Sequence, residues 1–198
     1  MISLNILSNN NIVIRSFLTK KSRFTTYISK VTNKTELKNF IKKHTDKGAT
    51  HNCYAFKYGH DNLNYGYNND GEPKGTAGEP LLKLIEVSNV TNIIIFVKRY
   101  YGGVKLGTGG LQKAYTNSAI EIMKESEFKK LRLLNNIKIN FKIADIKAIK
   151  LFLLKQAEDI NYTYTKDLVT VEFNLDKIEK MDSIKDKINI LKIKQGYY

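Results

Sequence analysis

Two short stretches hold most of the residues able to receive a ligand. The first reads Asp70-Gly71-Glu72-Pro73-Lys74-Gly75-Thr76-Ala77-Gly78-Glu79-Pro80. The second reads Arg99-Tyr100-Tyr101-Gly102-Gly103-Val104-Lys105-Leu106-Gly107-Thr108-Gly109-Gly110-Leu111. Both prolines and eight of the 12 glycines fall in these stretches, although the Lys, Asn and Ile abundance is that of AT-rich coding, which disfavours both residue types. The backbone there needs unusual dihedrals or close approach. In the second stretch, glycines between a strand and a helix let backbone N–H groups converge at the positive end of the helix dipole. The phosphate-binding set read this way is Arg99, Tyr100, Gly102, Gly103, Lys105, Gly107, Thr108, Gly109 and Gly110, with Lys74 and Thr76 from the first stretch. Tight strand-to-helix packing would demand the same small residues, so both readings stand. The spacing is not that of a Walker A loop, because no Gly-Lys-Ser/Thr follows.

Three smaller constellations could do other chemistry. Asp70 and Glu72 are two carboxylates two residues apart. They could hold Mg²⁺ or act as an acid–base pair, or equally cap amides and pair with Arg99 or Lys105. Thr76 is read as a helix-capping hydroxyl or a phosphate ligand. His51 and Cys53, also two apart, face one side of a predicted strand. A nucleophile–base pair is one reading, and a small buried thiol beside a histidine is the other. One Cys and three His show no zinc-ligand spacing, and no metal or cofactor is expected. Tyr54, Tyr58, Tyr65, Tyr67, Tyr100 and Tyr101, with Lys57, Lys74, Lys98 and Arg99, could stack bases and neutralise phosphates; strand alternation would bury some of them.

The elements that must position these residues follow from periodicity. Strands are predicted over 12–17, 23–31 and 51–58, with a short partner around Tyr65 and Tyr67. Asn33-Lys34-Thr35-Glu36 predicts a capped helix start. A helix is predicted near 78–87 with Pro80 in its first turn. Ile93-Ile94-Ile95-Phe96-Val97 is a continuous apolar run that suits a strand buried on both faces. A helix to about Glu125 follows the second stretch. The charged junction 128–132 is the expected boundary, giving domains 1–128 and 129–198. Beyond it, a strand over 137–143, a helix over 145–157, a hairpin around Lys166-Asp167, a helix over 176–188 capped by Asp176 and a strand over 189–193 predict a ferredoxin-like βαββαβ order. The fold class is α+β.

The bulk properties restrict the partner. Lys and Arg number 33 against 19 Asp and Glu, a net charge of +14, which suits RNA, DNA, a ribosome or an acidic surface. The excess is spread, with 18 basic against 10 acidic residues up to 128 and 15 against 9 beyond it, so neither half is a basic tail. Only four of the cations are Arg, so compositional bias is the competing explanation. No apolar run approaches a membrane span, and Met1–Asn11 lacks the pattern of a leader. The single Cys53 allows no intramolecular disulfide, and a reducing, cytoplasmic location is expected.

The two glycine-patterned stretches, together with Thr50-His51-Asn52-Cys53 and Lys21-Ser22-Arg23-Phe24, closely resemble the IMPACT/YigZ family over roughly residues 20–125. The resemblance implies an N-terminal α/β domain similar to domain two of a small-subunit ribosomal protein and domain IV of elongation factor G. It implies a C-terminal domain similar to domain V of that factor. It adds Arg23 to Asp70, Glu72, His51 and Cys53 as accessory positions. The implied function is a translation-associated regulator that binds RNA or the ribosome without catalysis, with a protein partner as a further expectation and no membrane. The kinase-directed role of eukaryotic members is not carried over, because the chain starts almost directly with the shared domain. The alternative is an enzyme or nucleotide-binding protein acting on a phosphorylated small molecule. For that reading, Leu106-Gly107-Thr108-Gly109-Gly110 lacks the paired hydroxyls of the Gly-Leu-Gly-Ser-Ser signature in small-molecule kinases.

Overall fold

A computed structural model describes residues 4–198; Met1–Ser3, the start of the segment read for a leader, lie outside the described residues. The chain divides into two units, Met1–Lys130 and Leu131–Tyr198. In chain order the first holds β1 (Asn5–Leu7), β2 (Val13–Thr19), β3 (Ser22–Lys30), α1 (Lys34–His44), β4 (His51–Tyr58), β5 (Asn64–Asn68), α2 (Gly78–Val87), β6 (Ile93–Tyr100), α3 (Thr108–Lys124) and β7 (Phe128–Lys130). The second holds β8 (Leu133–Lys142), α4 (Ile146–Gln156), β9 (Glu158–Tyr164), β10 (Leu168–Leu175) and β11 (Asn189–Tyr197). Sheets and helices are mixed in both units, so the α+β reading holds. Among the described residues no helix is long and apolar enough to cross a membrane.

In the first unit five strands form one antiparallel sheet in the order β2-β3-β6-β4-β5. The apolar run of β6 sits at its centre, as its uninterrupted pattern predicts. Ile93, Ile95 and Val97 join the core that α2 and α3 build on one face, while Ile94 and Phe96 pack with Leu37 and Phe40 of α1 on the other. A strand with helices on both sides has no face left for polar residues. The predicted cap of α1 is present: Asn33 Oδ1 accepts the Glu36 N–H at 3.0 Å, and the Glu36 carboxylate reaches back to the Thr32 N–H at 2.8 Å. Lys42 and Lys43 close the last turn, where cations favour the helix dipole. The strands β1 and β7, which pair with each other, escaped the sequence reading because three residues are too few to show a period.

The hairpin between β2 and β3 turns on Lys20 and Lys21, both with positive φ (45° and 65°). A two-residue turn of this hand suits Asn-Gly, and a side chain at each position is strained. The stretch after β6 packs directly on that turn. A Cβ on Gly102 would lie 1.9 Å from the Lys21 carbonyl oxygen, so only glycine permits the contact.

In the second unit the strand order is β11-β8-β10-β9, with every neighbouring pair antiparallel. Ile137, Ile139 and Phe141 of β8 meet Val169, Val171 and Phe173 of β10 beneath Ile149 and Leu153 of α4. One expectation is corrected. The predicted helix over 176–188 is two 3₁₀ segments, Ile178–Ser183 and Lys185–Lys187. Ile178, Met181 and Ile184 recur every three residues, a spacing that lines up on a 3.0-residue turn and drifts on a 3.6-residue one. Met181 and Ile184 are the buried pair. Asp176 does not cap a helix; its carboxylate takes the Lys177 N–H and pairs with Lys180.

Two substitutions test this geometry by urea unfolding. Replacing Lys20 and Lys21 with Asn and Gly relieves the turn and raises stability by about 1 kcal/mol. Gly102→Ala forces the turn and the loop apart and lowers it by about 3 kcal/mol.

Candidate anion-binding site

Strand alternation decides which predicted residues can meet. His51 and Arg99 are directly opposite each other on β4 and β6, as are Cys53 and Val97, and Phe24 of β3 is opposite Arg99 on its other side. All lie on the face covered by α2 and α3. Tyr100, the next residue, points to the opposite face. There the Arg23 guanidinium lies over the Tyr100 ring at 4.3 Å, and the Tyr100 hydroxyl donates to Asp46 at 2.6 Å. That hydrogen bond holds the Asp46 carboxyl below its usual range. Arg23 and Tyr100 are thus separated from the remainder of the predicted set by the thickness of the sheet.

The first glycine-rich stretch is pinned to the edge of β4. The His51 imidazole bonds the Asp70 carbonyl through Nδ1 at 2.7 Å. The Asn52 N–H donates to the Asp70 carboxylate at 2.5 Å, and the Cys53 S–H donates to the Asn69 carbonyl at 2.9 Å. Asn69 Oδ1 accepts the Gly78 N–H at 2.7 Å and so serves the start of α2. Thr76 does not cap α2. Its hydroxyl donates to the Pro73 carbonyl at 2.7 Å inside the loop's own turn, and the residue in the capping position is Ala77. Lys74 is exposed beside it.

This anchoring drops Glu72 into the interior. Its side chain is 2% exposed and that of Arg99 is 7% exposed, with Nη1 2.6 Å from Glu72 Oε1. The same oxygen accepts from the Tyr115 hydroxyl at 2.9 Å, and His51 Nε2 stands 3.8 Å away. The Tyr115 hydroxyl is also 3.3 Å from Cys53 Sγ. Burial pushes the Cys53 thiol up to about 12 and drives the Tyr115 phenol upward as well. A thiol held protonated is not a nucleophile at neutral pH. Asp70 and Glu72, close in sequence, do different work: the first organises β4 and the second neutralises Arg99. Among the described residues no group of three or more His, Cys, Asp or Glu could hold a metal ion.

Above the ion pair lies a cavity of about 460 Å³ lined by residues of both glycine-rich stretches, including His51, Glu72, Arg99, Tyr101, Lys105 and Thr108. The amides of the second stretch divide into two groups. Those leaving β6 are consumed: the Tyr101 N–H donates to Thr50 Oγ1 at 3.0 Å and the Gly102 N–H to Ser22 Oγ at 3.4 Å. Those entering α3 are not served by a side chain. Gly107 occupies the capping position at φ 74° with no side-chain hydrogen bond, and the first intrahelical bond is Leu111 N–H to the Gly107 carbonyl at 2.9 Å. The N–H groups of Thr108, Gly109 and Gly110 therefore form an open helix start, next to exposed Lys105. Arg99 faces Glu72 instead of solvent, and a Cβ at Gly103 would meet nothing within 4 Å. Gly102 serves packing, and Gly110 sits against Leu106, where a Cβ would lie 3.2 Å from the leucine Cβ.

Sequence reasoning missed Tyr115 and the lining residues Thr50 and Leu106. Tyr115 falls in the regular apolar stripe of α3, and periodicity carries no sign that its hydroxyl ends against a carboxylate.

The Impact N-terminal domain matches residues 20–123, slightly more than half the chain. An IMPACT family member of Haemophilus influenzae is 42% identical over 121 residues, covering 58% of this chain and 59% of that protein. The IMPACT family member YigZ of Escherichia coli is 40% identical over 112 residues, 54% of each chain. The matched part thus spans little more than half the length of these relatives. A crystal structure of a hypothetical protein aligns over 98% of both chains at 29% identity with a TM-score of 0.62.

The buried network makes two predictions. Glu72→Ala leaves the Arg99 charge buried without its partner and costs about 3–5 kcal/mol in denaturant unfolding, whereas Glu72→Leu combined with Arg99→Met recovers most of it. Cys53 stays unlabelled by iodoacetamide at pH 8 in the folded protein and reacts on unfolding. The folded thiol holds its proton more tightly than the unfolded one, whose ordinary value is 9.0. Its stabilising contribution is therefore complete below pH 9 and is lost as pH rises toward 12, which a series of unfolding curves at rising pH measures.

Proposed function

This chain belongs to the Impact family, and we propose that it is a translation-associated regulator that binds RNA or the ribosome rather than turning over a substrate. The observation that carries the reading is the open start of α3. Three backbone amides without a side-chain cap form the positive end of the helix dipole, with Lys105 at their side. Oxyanions of a phosphate backbone satisfy such a group of donors. The cavity floor supports the same chemistry, because Arg99 and Tyr115 offset the one carboxylate there. Lys20 and Lys21 add two exposed cations on the turn against which Gly102 packs. Side chains at both positions of a strained turn are accounted for if their charges contact a polyanion. The net charge of +14 favours non-specific approach to the same partner.

The architecture fits this role by analogy. We read the second unit as ferredoxin-like: its strand order and antiparallel pairing are those of the split βαββαβ arrangement, with 3₁₀ turns in place of the second helix. We read the first as the ribosomal-protein-like domain that the family resemblance implies, with the boundary near residues 128–130. A protein partner alongside RNA and a cytoplasmic site of action complete the reading.

Co-sedimentation with ribosomes and titration of single-stranded RNA at several salt concentrations test it. Binding is expected at roughly 50 mM salt and falls steeply with added salt. Lys105→Ala weakens it and lowers the slope of log affinity against log salt by about 1. The Lys20→Asn, Lys21→Gly pair does the same while making the fold more stable, which separates contact from folding. Absence of RNA and ribosome binding at low salt overturns the proposal.

A further inference from the structure

The second unit ends its sheet on a long exposed strand, β11. We infer that this edge takes up an extended segment of a partner protein, one in which acidic and apolar residues alternate. The site lies in a different unit from the RNA surface proposed above and takes a different class of partner, so either reading can fail without the other.

Three features lead there. The first is the backbone. β11 pairs with β8 on one side and, among the described residues, with no strand on the other. Along its nine residues alternate N–H and C=O groups point outward, a template for one more strand. The second is an apolar stripe on one face. Ile190 and Ile193 stand opposite Ile139 and Ile137 in the ladder, and those two are fully buried. The connection from β10 to β11 runs as 3₁₀ turns that bury Met181 and Ile184 but leave Ile190 and Ile193 52% and 42% exposed. Leu191, the extra residue where the register shifts, is exposed as well. Apolar residues of an added strand would cover this stripe. The third is charge, and it decides the occupant. Lys192 and Lys194 lie on the opposite face, with Lys192 directly opposite Lys138 of β8, and all three are exposed. Among the described residues neither Lys192 nor Lys194 is in an ion pair. A second copy added antiparallel about Ile193 would set Lys192 of each chain against Lys194 of the other, and like charges directly opposite destabilise a strand pair. A strand with carboxylates on that face turns the repulsion into attraction. The lysines thus keep copies of this chain apart and select an acidic partner.

Fluorescence anisotropy with a labelled octapeptide of alternating valine and glutamate tests this on the full chain. The peptide is expected to bind, and a peptide of the same composition with its glutamates in one block to bind about tenfold more weakly. N-methylating only the valines or only the glutamates separates strand addition from charge attraction, because alternate N–H groups of a strand point to the same side. One set should abolish binding and the other leave it intact. Lys192→Glu combined with Lys194→Glu should weaken binding about tenfold and confer binding of an alternating valine–lysine peptide. Its unfolding midpoint should not fall, since a carboxylate at position 192 faces Lys138. Absence of binding, equal binding of the blocked peptide, or equal effects of the two N-methylated sets overturns the proposal. So does loss of single-stranded RNA binding in the double variant when the wild type ignores the peptide, which assigns the lysines to nucleic acid. A dimer of the free protein that Ile193→Ser dissociates overturns it in favour of a second copy.

Discussion

A salt bridge buried at the meeting point of two glycine-rich loops is the constraint on which the site depends. Glu72 reaches Arg99 only because the first loop is fastened to β4 by His51, Asn52 and Cys53, and Arg99 is available only because β6 ends there. Two charges taken out of water need good geometry and further hydrogen bonds, and Tyr115 supplies one from α3. The pair thereby ties a loop, a central strand and a helix together. It also settles what faces outward: with Arg99 committed below, Lys105 is the exposed cation and the amides that open α3 carry no side-chain cap.

The amides that open α3 are held in place by the helix itself. The polar groups beneath them keep their protons. Burial raises both Cys53 and Tyr115, which leaves the floor of the cavity without a reactive thiolate. The two sides of the sheet are consequently different surfaces, one with an organised cavity and the other with Arg23 over Tyr100 and Lys98 over Tyr27.

Local patterns in the chain were sufficient for the longer strands and the α-helices, and for marking the two loops. The apolar run of β6, the cap at Asn33 and the stripe of α3 depend on neighbours within a few residues, and each is read directly from residue type and spacing. The clustering of glycine and proline marked the loops for the same reason: special backbone geometry is a property of the residue itself. The three-residue recurrence of Ile178, Met181 and Ile184 was also present, but it lies close enough to a helical period to be mistaken for one.

Tertiary structure alone decided what each polar group does, because a side chain's role depends on what faces it across 16 to 80 residues of chain. Glu72 could have capped a helix or held a cation until β6 placed Arg99 2.6 Å away. Arg99 and Tyr100, adjacent in sequence, went to opposite faces because a strand alternates. Thr76 turned inward, and Gly102 was required by Lys21 rather than by a ligand. Residue types and spacings established the loops and the strands; the pairing of strands and the closure of one loop over another assigned the partners.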